Sequence, residues 1–153
     1  MLCRLILNLN PTKLLVLGKG AEAVTTTLLE WGEANGMRLW FFSPIAPIPG
    51  ALDIACLMGG KADDILQQLE QVTANANENT ICVVADIHAS KEAEDCWHQI
   101  KNASEVTVTI DAYHLGLLFF RKSQANQHFI IRPDKNWLRD ALLGVRNLWG
   151  LLG

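Results

Sequence analysis

The chain lacks any apolar run near the ~20 residues that a membrane-spanning helix needs. Its opening stretch, MLCRLILNLN, is apolar with one arginine, but Asn8, Asn10 and Pro11 interrupt it and no small-residue cleavage site follows. No signal peptide and no membrane span are therefore expected. An excess of one charge is also missing. Lys and Arg number 13 against 16 Asp and Glu, a formal net charge of −3 over 153 residues, which gives no general attraction to nucleic acid or acidic membranes. The four cysteines (Cys3, Cys56, Cys82, Cys96) show no C-x-x-C or other metal-ligand spacing. Cys56 and Cys82, inside strand-like runs, read as small hydrophobes, and a reduced, cytoplasmic protein is expected. Internal repeats and low-complexity tracts are lacking as well.

The rest of the composition is globular: 50% hydrophobic and 19% charged. A chain of this length suits one domain that buries roughly 70% of its unfolded surface. Patterning predicts a short helix over Leu2 to Leu9, stopped by Asn10-Pro11. Lys13 to Leu17 reads as a buried strand ending at Gly18. A helix follows from Glu22 to Asn35, with Val24, Leu28, Leu29 and Trp31 on its apolar face and Gly36 past its end. Arg38 to Phe42 is a second strand, and the proline-rich segment 43–50 (SPIAPIPG) excludes helix or central strand. Asp53 to Met58, a helix over Ala62 to Thr73 and a strand over Thr80 to Val84 come next. Ser90 is placed to cap a helix over Lys91 to Asn102, with Glu92 and Glu94 near its start. Val106 to Ile110, Leu115 to Phe120 and His128 to Arg132 are further strands. Asp134 can cap a last amphipathic helix, Trp137 to Leu151. Strand and helix alternate to residue 102 and strands then follow each other directly. That order predicts a mostly parallel α/β sheet with an antiparallel C-terminal edge. Trp31, Trp40 and Trp97, inside regular elements, are expected in or beside the core.

The segment ENTICVVADIHASKEAEDCWHQIKNASEVTVTIDAYHLGLLFFRKSQANQHFIIRP, from Glu78 to Pro133, resembles the C-terminal half of class I S-adenosylmethionine-dependent methyltransferases. The likeness is to small-molecule O-methyltransferase-like members, whose corresponding run reads roughly D-D-I-H-W-S-K-E. It is fullest over 79–132, looser over 13–31 and thin over 38–60. It implies a Rossmann-like methyltransferase sheet, in which the seventh strand enters antiparallel between its neighbours. It also implies that one α/β unit is lost at 43–50 and that the family's N-terminal helices are mostly missing. The domain then spans 1–133, and the amphipathic helix over 134–153, to which the resemblance does not extend, is expected either to pack on that domain or to serve association.

The same resemblance locates the family's cofactor and metal positions. Its G-x-x-x-G loop falls on GKGAEA, where Gly18 matches the first glycine, Glu22 replaces the later one and Gly20 partly compensates. Gly18 and Gly20 are thus the candidate cofactor-binding residues. The acid that holds the ribose hydroxyls has no counterpart, since Phe42, Ser43 and Pro44 occupy that region. The metal-dependent branch's three oxygen ligands fall on Met58, Ala85 and Asp86, so one ligand of three remains and no metal is expected.

Beyond the strands' carboxyl ends, where open α/β sheets bind ligands, lie Asp86, His88, Ser90, Lys91, Asp111, Tyr113 and His114. Asp86, His88 and His114 are the candidate catalytic groups, the histidines as acid or base near neutral pH. The simpler reading has Ser90 capping a helix, Asp86 bonding a loop backbone and His88 packing at a turn. The basic stretch Arg121, Lys122, Arg132, Lys135 and Arg139 carries no interleaved aromatics and reads as a solvated face.

Three functions compete. The first is a degenerate, non-catalytic binding or assembly module with no cofactor, meeting a second copy or a protein partner through Trp137, Leu142, Val145 and Trp149 on the last helix. The second is an S-adenosylmethionine-dependent methyltransferase acting on a small molecule in a remodelled or partner-completed pocket. The third is a small-ligand binding domain using the polar edge. The substitutions at Glu22, Phe42 and Met58 favour the first.

Overall fold

The computed structural model describes residues 2–43, 48–121 and 125–131. The helix expected over Trp137 to Leu151, with Trp137, Leu142, Val145 and Trp149, lies outside those residues. Eleven elements follow in chain order: α1 (Leu2–Leu9), β1 (Lys13–Gly18), α2 (Ala21–Ala34), β2 (Trp40–Phe42), β3 (Ile54–Met58), α3 (Ala62–Thr73), β4 (Ile81–Ala85), α4 (Lys91–Lys101), β5 (Val108–Asp111), β6 (Leu115–Phe119) and β7 (Gln127–Ile130). The seven strands form one mixed sheet in the order β2-β1-β3-β4-β6-β5-β7.

Helices cover both faces. Ile6 of α1 and Leu28 of α2 pack on Leu14, Ile54, Cys56, Val83 and Leu117. On the other face, Ile65, Leu69 and Val72 of α3 join Cys96, Trp97 and Ile100 of α4 over Leu15, Ala55, Leu57, Cys82, Val84 and Leu118. Successive residues of each central strand thus go to opposite cores, as expected for strands buried on both faces. Cys56, Cys82 and Cys96 are buried free thiols, and burial pushes the Cys56 thiol up to about 12.

Local chemistry sets the element ends. Asn10, at φ 47°, closes α1, and Gly36, at φ 69°, takes the left-handed position after α2. The amide of Lys61 donates to Asp64 Oδ2 at 3.3 Å at the start of α3. Ser90 Oγ accepts from the Ala93 amide at 3.1 Å, making it the cap of α4.

The starts of β1 and β3 are pinned by a residue whose sequence position gave no sign of it. Asp53 Oδ2 accepts from the Thr12 amide at 2.7 Å, the Lys13 amide at 2.9 Å and the Thr12 hydroxyl at 3.0 Å. Burial acts to raise the Asp53 carboxyl, but these bonds outweigh it and hold it below the ordinary carboxylate range.

Three expectations change. First, the antiparallel strand is interior rather than at the edge: β6 runs against β4 and β5, whereas the edge strand β7 is parallel to β5. β7 starts at the amino end of β5, where the Gln127 amide donates to Thr107 O at 2.9 Å, and so runs in the direction of β5. Second, Trp40 is 66% exposed, because β2 is an edge strand paired only with β1. Third, Leu29 is exposed rather than on the buried face of α2.

Gly116 of β6 sits under Trp97, which is 2% exposed; a Cβ there would lie 2.5 Å from two atoms of the indole ring. The indole is locked in the core and cannot swing away, so overpacking outweighs the entropy gained by losing a glycine. Gly116→Ala should destabilise the fold by about 1–3 kcal/mol. The check is a lower urea midpoint at unchanged denaturant slope.

Candidate functional site

Strands β1 to β5 all end at one edge of the sheet, where β6 begins. Two polar groupings occupy that edge.

The first is a glycine-lined crevice between β1 and β3, where the strand order reverses on either side of β1. It is an open groove of about 700 Å³, lined by Gly18, Lys19, Gly59, Gly60, Lys61 and residues of α3. Gly18 has φ 98°, and a Cβ on it would lie 2.1 Å from Met58 O. Its glycine is thus required by backbone packing against the end of β3. Gly20, at φ 86°, faces open space and is needed only for its left-handed conformation before α2. Glu22 is exposed in the first turn of α2. Past β2, Phe42 and Ile48 pack against the core on the α3–α4 side.

The second grouping is centred on His88. Its Nε2 lies 2.8 Å from Asp111 Oδ2 and its Nδ1 lies 3.0 Å from Glu94 Oε1. A neutral imidazole carries one N–H and can donate to only one of these carboxylates. Protonation supplies the second donor. The hydrogen bond to Asp111, then that to Glu94, accordingly raises the His88 pKa against a smaller opposing effect of burial. Asp111 has its other oxygen engaged too, since Oδ1 accepts from the Tyr113 amide at 2.9 Å. The Tyr113 ring stacks on His88 with centroids 5.7 Å apart and meets the His114 ring edge-on at 4.8 Å.

Backbone geometry builds this cluster. Ala112 N donates to Leu115 O at 2.9 Å, closing a two-residue hairpin over Tyr113 and His114 between β5 and β6. Tyr113 takes φ 68°, the left-handed conformation that such hairpins demand at their first loop position. Asp86 also has a positive φ, 54°, where the chain leaves β4. For non-glycine residues this conformation is uncommon.

The structure joins some of the candidate residues and separates others. Asp86 and His114 meet through backbone, the Asp86 amide donating to His114 O at 2.8 Å. The side chain of Asp86 is exposed, and among the described residues it forms no hydrogen bond with His88 or His114. It is the Asp86 carbonyl, accepting from the Ala89 amide at 3.0 Å, that orders the turn. Asp111, rather than Asp86, is the carboxylate partner of His88. Glu94, the second partner, had been legible only as an acid suited to the first turn of α4. Its spacing of six residues from His88, across a turn and a helix cap, is no recognised motif. Among the described residues, no group of three or more His, Cys, Asp or Glu side chains is placed to hold a metal ion. No described helix is long and apolar enough to cross a membrane.

No protein-family model matches the chain, and a comparison with curated proteins finds no match.

The His88 clamp makes stability pH-dependent with a definite sign. Because the folded-state pKa is raised, the contribution is fully present below the unfolded value of about 6.5. It is lost as pH rises through the folded value. Below about pH 6.5, His88→Ala should cost roughly 1–3 kcal/mol, since it strips a charged partner from the poorly exposed Asp111 carboxylate. Urea denaturation across a pH series should show wild type and variant converging as pH rises through the folded-state pKa.

Proposed function

We propose that this chain is a methyltransferase-fold protein without catalytic activity, serving as a binding or assembly module that meets a second copy or a protein partner. The observation that carries the non-catalytic reading is the saturation of His88, whose two ring nitrogens are both engaged by the protein's own carboxylates. A general base needs a free lone pair and a general acid needs a proton it can deliver to substrate. This imidazole offers neither without first breaking a charge-assisted bond.

The strand arrangement supports the resemblance. β6 lies antiparallel between β4 and β5, as the seventh strand of that family lies between its neighbours. The order β2-β1-β3-β4 suits the same sheet with one α/β unit removed between β2 and β3. The residues present do not fit that family's cofactor. The end of β2 offers half-buried Phe42 in place of an acid for the ribose hydroxyls, and Glu22 brings a carboxylate to the start of α2. Large apolar side chains exposed on both edge strands, Trp40 on β2 and Phe129 and Ile130 on β7, support a surface used for binding. A cytoplasmic location belongs to the same proposal and accords with four free cysteines.

One observation favours the enzymatic alternative. Gln68, in the lining of the β1–β3 crevice, has a buried Oε1 with no hydrogen-bond partner among the described residues. A ligand or a partner's donor would satisfy it. A calorimetric titration separates the readings. Losing two charge-assisted contacts of roughly 1.5–3 kcal/mol each weakens binding by orders of magnitude, so neither S-adenosylmethionine nor S-adenosylhomocysteine should bind in the low micromolar range. Tight, saturable binding to either would establish the alternative.

Metal dependence is a separate test of the same region. With Ala85 and Met58 beside the exposed Asp86, excess Mg²⁺ or Mn²⁺ should leave the thermal midpoint unchanged, because only a native-state ligand raises it. A rise abolished by Asp86→Ala would restore a metal site.

A further inference from the structure

We infer that β7 is a homodimerisation edge, pairing antiparallel with β7 of a second copy to continue the sheet across a two-fold axis at Phe129. The inference does not depend on whether the crevice takes a cofactor. The amides of Gln127 and Ile131 donate inward, to Thr107 O at 2.9 Å and Asp111 O at 2.7 Å. Alternation along the strand then turns the amides and carbonyls of His128 and Ile130 outward, where no described residue pairs with them.

Among the described residues, this edge carries none of the usual protections. Natural edge strands are blunted by proline, lysine, bulges or a covering element. Gln127 to Ile131 contains no proline and no lysine, aspartate or glutamate, and every residue of the strand is exposed. Its apolar side chains are among the most open in the described structure: Phe129 is 50%, Ile130 64% and Ile131 57% exposed. The opposite edge strand, β2, is only three residues long and is followed in sequence by three prolines within eight residues.

The sequence of β7 suits its own two-fold mate. With the axis at Phe129, His128 and Ile130 exchange both outward backbone bonds with Ile130 and His128 of the second copy. Phe129 faces its own copy as a close, non-hydrogen-bonded pair, an arrangement in which aromatic pairs are favourable. Gln127 faces Ile131, so no like charges meet. His128 keeps its ring on its own sheet through Thr109 Oγ1, 2.9 Å from Nδ1. An isologous contact of this kind closes on itself and does not propagate into a fibre.

The area sets the strength. Phe129, Ile130 and Ile131 of two copies offer on the order of 600 Å² of exposed side chain, about half of what a small specific interface buries. Backbone pairing and half-buried Ile110 and Phe119, on the same face as Phe129, must supply the rest. The dimer is therefore concentration-dependent in the micromolar range.

Sedimentation equilibrium of the full chain over a dilution series through that range tests the inference, together with amide hydrogen exchange at both ends of the series. The wild-type mass should rise from the 16.9 kDa of one chain toward twice that value. The amides of His128 and Ile130 should exchange severalfold more slowly at the concentrated end. Ile130→Pro removes an outward donor without touching the β5–β7 ladder, and Phe129→Lys places like charges on the axis. Both should stay monomeric with unchanged circular dichroism. Should proline unfold the strand, the lysine variant and the exchange rates carry the test. A wild type monomeric throughout overturns the inference, as does a dimer that survives Phe129→Lys. A dimer with fast-exchanging His128 and Ile130 amides, lost only on removing residues 134–153, overturns it in favour of that segment.

Discussion

The seam between β1 and β3 is the constraint on which the rest of the molecule depends. At its amino end, a single carboxylate, Asp53, gathers two amides and a hydroxyl from Thr12 and Lys13. At its carboxyl end, Gly18 brings backbone so close to Met58 that no side chain fits between them. Five residue pairs run in register between these two points. Because α2 leaves directly from β1 and α3 directly from β3, the seam fixes where both helices begin. It thereby fixes the walls of the crevice and the opposite faces on which the two helices settle.

Among the described residues, the two faces are covered unequally. On the α3–α4 side, buried side chains continue as far as Leu118 of β6 and Phe120, with Trp97 filling the hollow above Gly116. On the α1–α2 side the cover thins toward β5: Leu117 is buried, but Ile110, Leu115 and Phe119 are only partly so, and Phe129 beyond them is exposed. The glycine in β6 admits the largest side chain on the better-covered face. The other face keeps its bulky aliphatic and aromatic residues near solvent, where apolar surface has more to gain from association than from the existing core.

Most element positions were legible in the sequence because they rest on local rules. Apolar runs of five or six residues between glycine or polar breaks gave β1, β3 and β4, and Ser90 with Glu92 and Glu94 gave the start of α4. What escaped depends on lateral position in the sheet, which no window along one strand encodes. Trp-Phe-Phe is as suitable for a central strand as for an edge, so Trp40 read as core. The direction of β7 is set by the side of β5 on which the chain returns, and strand propensity does not encode that. The site shows the same division. The polar edge, with Asp86, His88, Asp111, Tyr113 and His114, followed from the general rule for α/β sheets. The partner of His88 did not, because Asp111 lies 23 residues away and reaches it only through the β5–β6 hairpin.

The buried thiols give each layer its own reporter. Cys56 belongs to the core under α1 and α2, and Cys82 to the core under α3 and α4. Burial raises both far above the pH at which a thiol is reactive. Neither is therefore alkylated until its own layer opens. Labelling rates at the two positions, followed by mass spectrometry under native conditions, resolve whether the helical layers detach separately or only with the whole sheet. The unequal cover of the two faces makes the layer over Cys56 the one expected to open first.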